Sequence, residues 1–148
     1  MARITVSATL KIAADSLWNL VGDFNGMADW HPAFARSELE EGGKRRRLTL
    51  TDGGSVYEQL ESRDDAHRHY SYSTIEGSPD VEKFLSRVAV LDAGDGKSTI
   101  VWAAQFSCQN AEAQMIEVYQ DFFEAGFQNL RKIFGIAEEE APEEEEEE

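Results

Sequence analysis

Glu58 is the residue in this chain best placed to do chemistry. It stands between Val56 and Leu60 at the every-second-residue spacing that puts side chains on one face of a strand. A carboxyl group on an apolar face needs a partner. The turn Asp52-Gly53-Gly54 supplies one through register. With a three-residue loop there, Arg46 on the preceding strand falls directly across from Glu58 on the same face. Such a pair has three readings: a structural ion pair in a cavity wall, an anchor for a ligand carbonyl or carboxylate, or a general acid/base. Spacing leaves all three open.

Trp30 and His31 precede Pro32, which pushes the residue before it out of helical geometry and ends a short helix. An imidazole titrates near neutral pH and can move protons. No obvious carboxylate or nucleophile neighbours His31 in sequence, so a capping or surface histidine is the competing reading. The catalytic candidates are therefore Glu58, His31 and Arg46. Trp30 is either packing or a ligand contact. Tyr70 and Tyr72 share a strand face with Thr74, and Trp102 shares one with Phe106. Such rings suit the wall of a mostly apolar pocket with a few polar tips, and they suit a plain core equally well.

Other chemistries find little support. His67 and His69, two apart on one predicted strand, share a face, but no third ligand is evident, so no metal site is expected. There is no phosphate-cradling loop, no dinucleotide fingerprint and no nucleophile elbow, so no cofactor is expected. Cys108 is the one cysteine and is read as a buried or idle thiol; it permits no internal disulfide and suggests a reducing, cytoplasmic setting.

These residues must be positioned by strands and one long helix. Alternation predicts a strand from Ile4 to Leu10, then two short helices, one over Ala13 to Gly22 and one over Asp23 to Trp30. Six more strands follow: Phe34 to Leu39, Arg45 to Thr51, Ser55 to Ser62, His67 to Ile75, Val81 to Leu91 and Ser98 to Cys108. Tight turns between consecutive strands predict an antiparallel sheet. The last helix, Ala111 to about Phe134, carries an apolar stripe of Met115, Tyr119, Phe122, Phe123, Phe127, Leu130, Ile133 and Phe134. Gly126 interrupts it at a cost of up to ~1 kcal/mol against alanine, which suggests a spatial reason: close approach of a strand, or room for a ligand. Phe123, Gly126 and Phe127 are accordingly read as ligand contacts on the helix side, with Gly126 marking where the pocket wall is thinnest.

The chain of 148 residues suits one domain. Its net charge is −15, but nine of its 29 acidic residues lie in a Glu-rich stretch after Ala137. The remaining 20 acids face 14 bases, a balance of −6, which excludes nucleic acid as an expected partner. The domain is placed at residues 1–136, with 137–148 as a disordered tail. Polar residues interrupt the N-terminal strand, so no signal-peptide core is read there. No apolar run approaches the ~20 residues of a membrane span.

In order, the strings Leu17-Trp18-Asn19-Leu20-Val21-Gly22-Asp23-Phe24, Asp29-Trp30-His31-Pro32, Arg47-Leu48-Thr49-Leu50 with Asp52-Gly53-Gly54, Glu58-Gln59-Leu60-Glu61, Tyr70-Ser71-Tyr72, and Thr99-Ile100-Val101-Trp102 with Phe106 resemble the polyketide cyclase/dehydrase-type members of the START-like, helix-grip superfamily. The resemblance covers about residues 3 to 134. It implies an α+β fold in which a seven-stranded antiparallel sheet curves around the C-terminal helix, and a cavity between them holding an apolar or aromatic small molecule. Members include lipid carriers, receptors and cyclase- or aromatase-type enzymes, and no catalytic set is common to them. The resemblance therefore implies a ligand-binding protein first and an acid/base enzyme second. Dimers are common among such proteins, so a homodimer is an implied assembly.

Overall fold

The computed structural model describes residues 1–77, 81–108 and 110–135. The tail expected at 137–148 lies outside the described residues. Strand β1 (Ala2–Leu10) leads into helix α1 (Ala14–Val21), a 3-10 turn (Phe24–Gly26) and the short helix α2 (Met27–Trp30). Strands β2 (Phe34–Glu40), β3 (Arg45–Leu50), β4 (Ser55–Asp64), β5 (His69–Glu76), β6 (Val81–Gly94) and β7 (Lys97–Cys108) follow, and helix α3 (Glu112–Ile133) is the last element among the described residues. The seven strands form one antiparallel sheet in the order β1-β7-β6-β5-β4-β3-β2. The first two strands in sequence are thus its two edges, and α1 and α2 bridge them.

Alternation makes the sheet two-sided. In β7, Ser98, Ile100, Trp102, Ala104 and Phe106 are buried while the residues between them are half-buried or exposed. The inward row packs under α3, whose Phe123, Gly126, Phe127 and Leu130 are buried. Fully burying each large side chain contributes roughly 1.5–3 kcal/mol, so Trp102, Tyr70, Tyr72, Phe106, Phe123 and Phe127 dominate this core.

Two details differ from the sequence reading. The segment after Gly22 is a 3-10 turn followed by a four-residue helix, because Asp23 turns back to accept the Asn25 N–H at 3.0 Å before the helix can start. Ile133, read as part of the apolar stripe of α3, is 44% exposed, while Phe134 beside it is half-buried against the core.

A candidate ligand cavity between sheet and helix

The β3–β4 hairpin fixes the polar centre. The Leu50 N–H donates to the Gly54 carbonyl at 2.8 Å, which closes a three-residue loop, and Gly53 takes the positive φ of 99° that this loop requires. Register then places Arg46 opposite Glu58. Arg46 Nε and Nη2 both donate to Glu58 Oε1, at 2.9 and 2.7 Å. Arg46 Nη1 donates to the Phe24 carbonyl at 2.6 Å and reaches the Tyr70 hydroxyl at 3.4 Å. The guanidinium lies 4.2 Å from the Phe24 ring centroid and 4.6 Å from that of Tyr72. Burial works against its charge, but the electronegative partners Tyr70, Glu58 and Tyr72 more than offset this, so Arg46 is held firmly protonated.

Glu58 also faces β5, where its Oε2 has the Thr74 hydroxyl at 3.4 Å. Beside it, Tyr72, Trp102 and Ser86 form a second cluster. The Trp102 indole N–H is shared between the Tyr72 hydroxyl at 3.0 Å and Ser86 Oγ at 2.9 Å. Burial, reinforced by the nearby Glu58 charge, pushes the Tyr72 phenol well above its ordinary range, so it stays neutral.

Of these groups, Glu58, Tyr72, Thr74 and Trp102 border a cavity of about 180 Å³ between the sheet and α3. Its sheet side is Phe34, Leu50, Val56, Glu58, Tyr72, Thr74, Gly77, Phe84 and Trp102; its helix side is Met27, Tyr119, Phe122 and Phe123. Trp102 stacks on Phe123 with ring centroids 4.1 Å apart and planes 12° from parallel, forming the inner wall. Leu50, Val56, Thr74, Tyr119 and Phe122 are half-buried and Gly77 is exposed, so the cavity opens where the β3–β4 hairpin, the end of β5 and the first half of α3 meet. A larger hollow of about 440 Å³ lies on the outer face of the sheet, bordered by Arg3, Thr5, Leu85, Arg87 and Gln105. It is open to solvent and has no buried titratable group, so the inner cavity is the candidate site.

The predicted residues divide accordingly. Glu58, Tyr72, Trp102 and Phe123 border the cavity, while Arg46 and Tyr70 stand behind it in the hydrogen-bond network. Trp30, His31, Gly126 and Phe127 do not border it. His31 is not a surface residue; it caps the C-terminus of α2, its backbone N–H donating to the Met27 carbonyl at 2.9 Å. It is 1% exposed, its Nδ1 accepts the Ala33 N–H at 3.1 Å, and its Nε2 therefore carries the hydrogen that goes to the Phe122 carbonyl at 2.7 Å. Burial lowers its pKa to about 4, against the weaker upward pull of the Phe122 carbonyl. Both ring nitrogens are thus occupied by backbone, and a proton-transfer role finds no geometric support.

Gly126 likewise leaves room for neither a strand nor a ligand. A Cβ there would lie 2.8 Å from His31 Cδ2 and 2.9 Å from Trp30 Cζ3, so its absence admits the end of α2. One turn on, Asn129 Nδ2 donates to the Trp30 carbonyl at 2.8 Å. Phe122, Gly126 and Asn129 share one helical face, at spacings of four and three, and together hold the Trp30–His31 corner. His67 falls in the turn before β5, not in the strand, and it hydrogen-bonds Asp64 at 2.8 Å. Among the described residues there is no cluster of metal-ligating side chains, and no helix is long and apolar enough to cross a membrane.

The family described as polyketide cyclase / dehydrase and lipid transport matches residues 1–135. No curated protein matches the sequence. Among solved structures, an uncharacterised protein of Bacillus thuringiensis is 29% identical with a TM-score of 0.86, covering 90% of this chain and 98% of that one. The protein XoxI of Bacillus cereus is 29% identical with a TM-score of 0.87, covering 90% and 96%. Norcoclaurine synthase of Thalictrum flavum, solved with dopamine and hydroxybenzaldehyde, is 17% identical with a TM-score of 0.70, covering 90% and 86%, and shares the fold.

Proposed function

The chain belongs to the polyketide cyclase / dehydrase and lipid transport family, and from that premise we propose that it binds a small apolar or aromatic molecule between the sheet and α3. The observation that carries this reading is the cavity itself: about 180 Å³, walled by aromatic rings, with the carboxylate of Glu58 at one side. Native mass spectrometry of the protein isolated from its own cells tests the reading. A reproducible small-molecule adduct, displaced when Trp102 or Phe123 is replaced, supports it; a mass equal to that of the bare chain overturns it. The single cysteine is consistent with a cytoplasmic location.

A second reading is an acid/base enzyme of cyclase, aromatase or dehydratase type. It is favoured by one observation, a carboxylate bordering an apolar cavity next to the Thr74 hydroxyl. Turnover of poly-β-keto substrates by Glu58→Gln tests it: an unchanged rate removes Glu58 from the chemistry, and a loss with binding retained supports it.

A further inference from the structure

We propose that the inner cavity selects a single-ring compound, or an equally short apolar one, that presents a neutral hydrogen-bond donor such as a phenolic or alcoholic hydroxyl to Oε2 of Glu58, and that it rejects carboxylates. This rests on the reading of the cavity as a binding site and adds to it a size and a polarity.

Size comes from the volume. Pockets for drug-sized ligands run roughly 300–1,000 Å³, and an apolar cavity of about 150 Å³ takes benzene. At about 180 Å³ this one accommodates a ring with one substituent. The rings of Phe84, Trp102, Phe122 and Phe123 in its lining favour an aromatic ring over a bulky aliphatic one.

Polarity comes from what the Arg46–Glu58 pair leaves over. All three guanidinium nitrogens are engaged, two with Oε1 of Glu58 and one with Phe24 and Tyr70, and Arg46 does not border the cavity. The cation is therefore no anchor for a ligand carboxylate or carbonyl. Oε2 is the other case. Thr74 borders the cavity and Arg46 does not, so the carboxylate oxygen nearest Thr74 is the one turned towards it. The Thr74 contact is long at 3.4 Å, and a carboxylate oxygen has capacity for a second, shorter bond. The Tyr72 hydroxyl already accepts the Trp102 N–H. The polar end of the cavity thus offers a strong anionic acceptor. A ligand donor completes it, whereas a ligand carboxylate would set like charges together in a poorly solvated space.

Three ring-sized probes separate these outcomes by isothermal titration calorimetry on the full chain: phenol, benzonitrile and benzoate. Phenol and benzonitrile are similar in size and overall polarity, but only phenol donates. Phenol is expected to bind about tenfold or more tighter than benzonitrile, the measure of one hydrogen bond to a charged acceptor, and benzoate is expected not to bind. In Glu58→Gln the gap between phenol and benzonitrile is expected to close. Equal affinities of phenol and benzonitrile for the wild-type chain, or tight binding of benzoate, overturn this inference while leaving the cavity a binding site. Binding of none of the three overturns both. If Glu58→Gln does not fold, the wild-type comparison still decides.

Discussion

Gly126 and His31 are in direct apposition: a β-carbon on the glycine would sit 2.8 Å from the Cδ2 of the imidazole ring. The atoms it would meet belong to two rigid, buried rings, His31 and Trp30, so neither can swing aside. In an exposed helix, alanine in place of glycine would stabilise by up to ~1 kcal/mol. Here overpacking of about 1–3 kcal/mol opposes it. Gly126→Ala is therefore expected to destabilise by about 1–2 kcal/mol. A denaturation midpoint equal to or above that of the wild type would show that the α2 corner is loosely held.

The Arg46–Glu58 pair gives a second prediction. Replacing one member leaves the other as an uncompensated buried charge. Arg46→Met alone is expected to cost about 3–5 kcal/mol. Replacing both, as Arg46→Met with Glu58→Leu, removes the desolvation cost of both ions and is expected to recover most of that loss. A double-mutant cycle by chemical denaturation measures it. Additive losses would mean that the two side chains do not depend on one another, contrary to the 2.7 Å contact.

The part of this site that could be read from sequence is the part fixed by local rules. Arg46 and Glu58 meet because Gly53 sets a loop length, and loop length sets register. Tyr72, Trp102 and Phe123 follow from strand and helix periodicity. The role of His31 could not be read the same way, because its partner is the carbonyl of Phe122, a main-chain atom that leaves no trace in residue type. Gly126 is more informative, being a poor residue for a helix interior. It marks a close approach, yet nothing local says that the Trp30–His31 corner is what approaches. The cavity rim of Phe84, Tyr119 and Leu50 was missed for a related reason: whether an inward apolar side chain fills space or borders it depends on the tilt of rings across the sheet.

The buried imidazole makes stability depend on pH. His31 has a pKa of about 4 in the folded chain against 6.5 for a free side chain. Above pH 6.5 it is neutral in both states and its contribution is complete. Between pH 6.5 and 4 the unfolded chain takes up a proton that the folded chain refuses, so stability falls as pH falls. Below pH 4 both states are protonated and this loss stops. The whole loss is on the order of 3 kcal/mol. Carboxylates also titrate in that range, so the measurement is a difference. The pH slope of His31→Gln, subtracted from that of the wild type, should isolate a destabilisation confined to pH 4–6.5. Parallel slopes would place a protonated imidazole inside the folded core without cost.

Trp102 offers a direct optical check on which hollow is occupied. It borders the inner cavity, whereas Trp18 and Trp30 do not, and none of the three borders the hollow on the outer face. A ring-sized probe that enters the inner cavity should change the indole emission, excited at the red edge of its band. Trp102→Phe should lose most of that change and Trp18→Phe should keep it. Trp102→Phe also deprives Tyr72 and Ser86 of the indole N–H, a loss of about 1 kcal/mol per hydrogen bond, so its folding is checked by circular dichroism alongside. If the emission change survives intact in a folded Trp102→Phe, the probe is reporting from elsewhere, and the space between sheet and α3 is not where this protein takes its ligand.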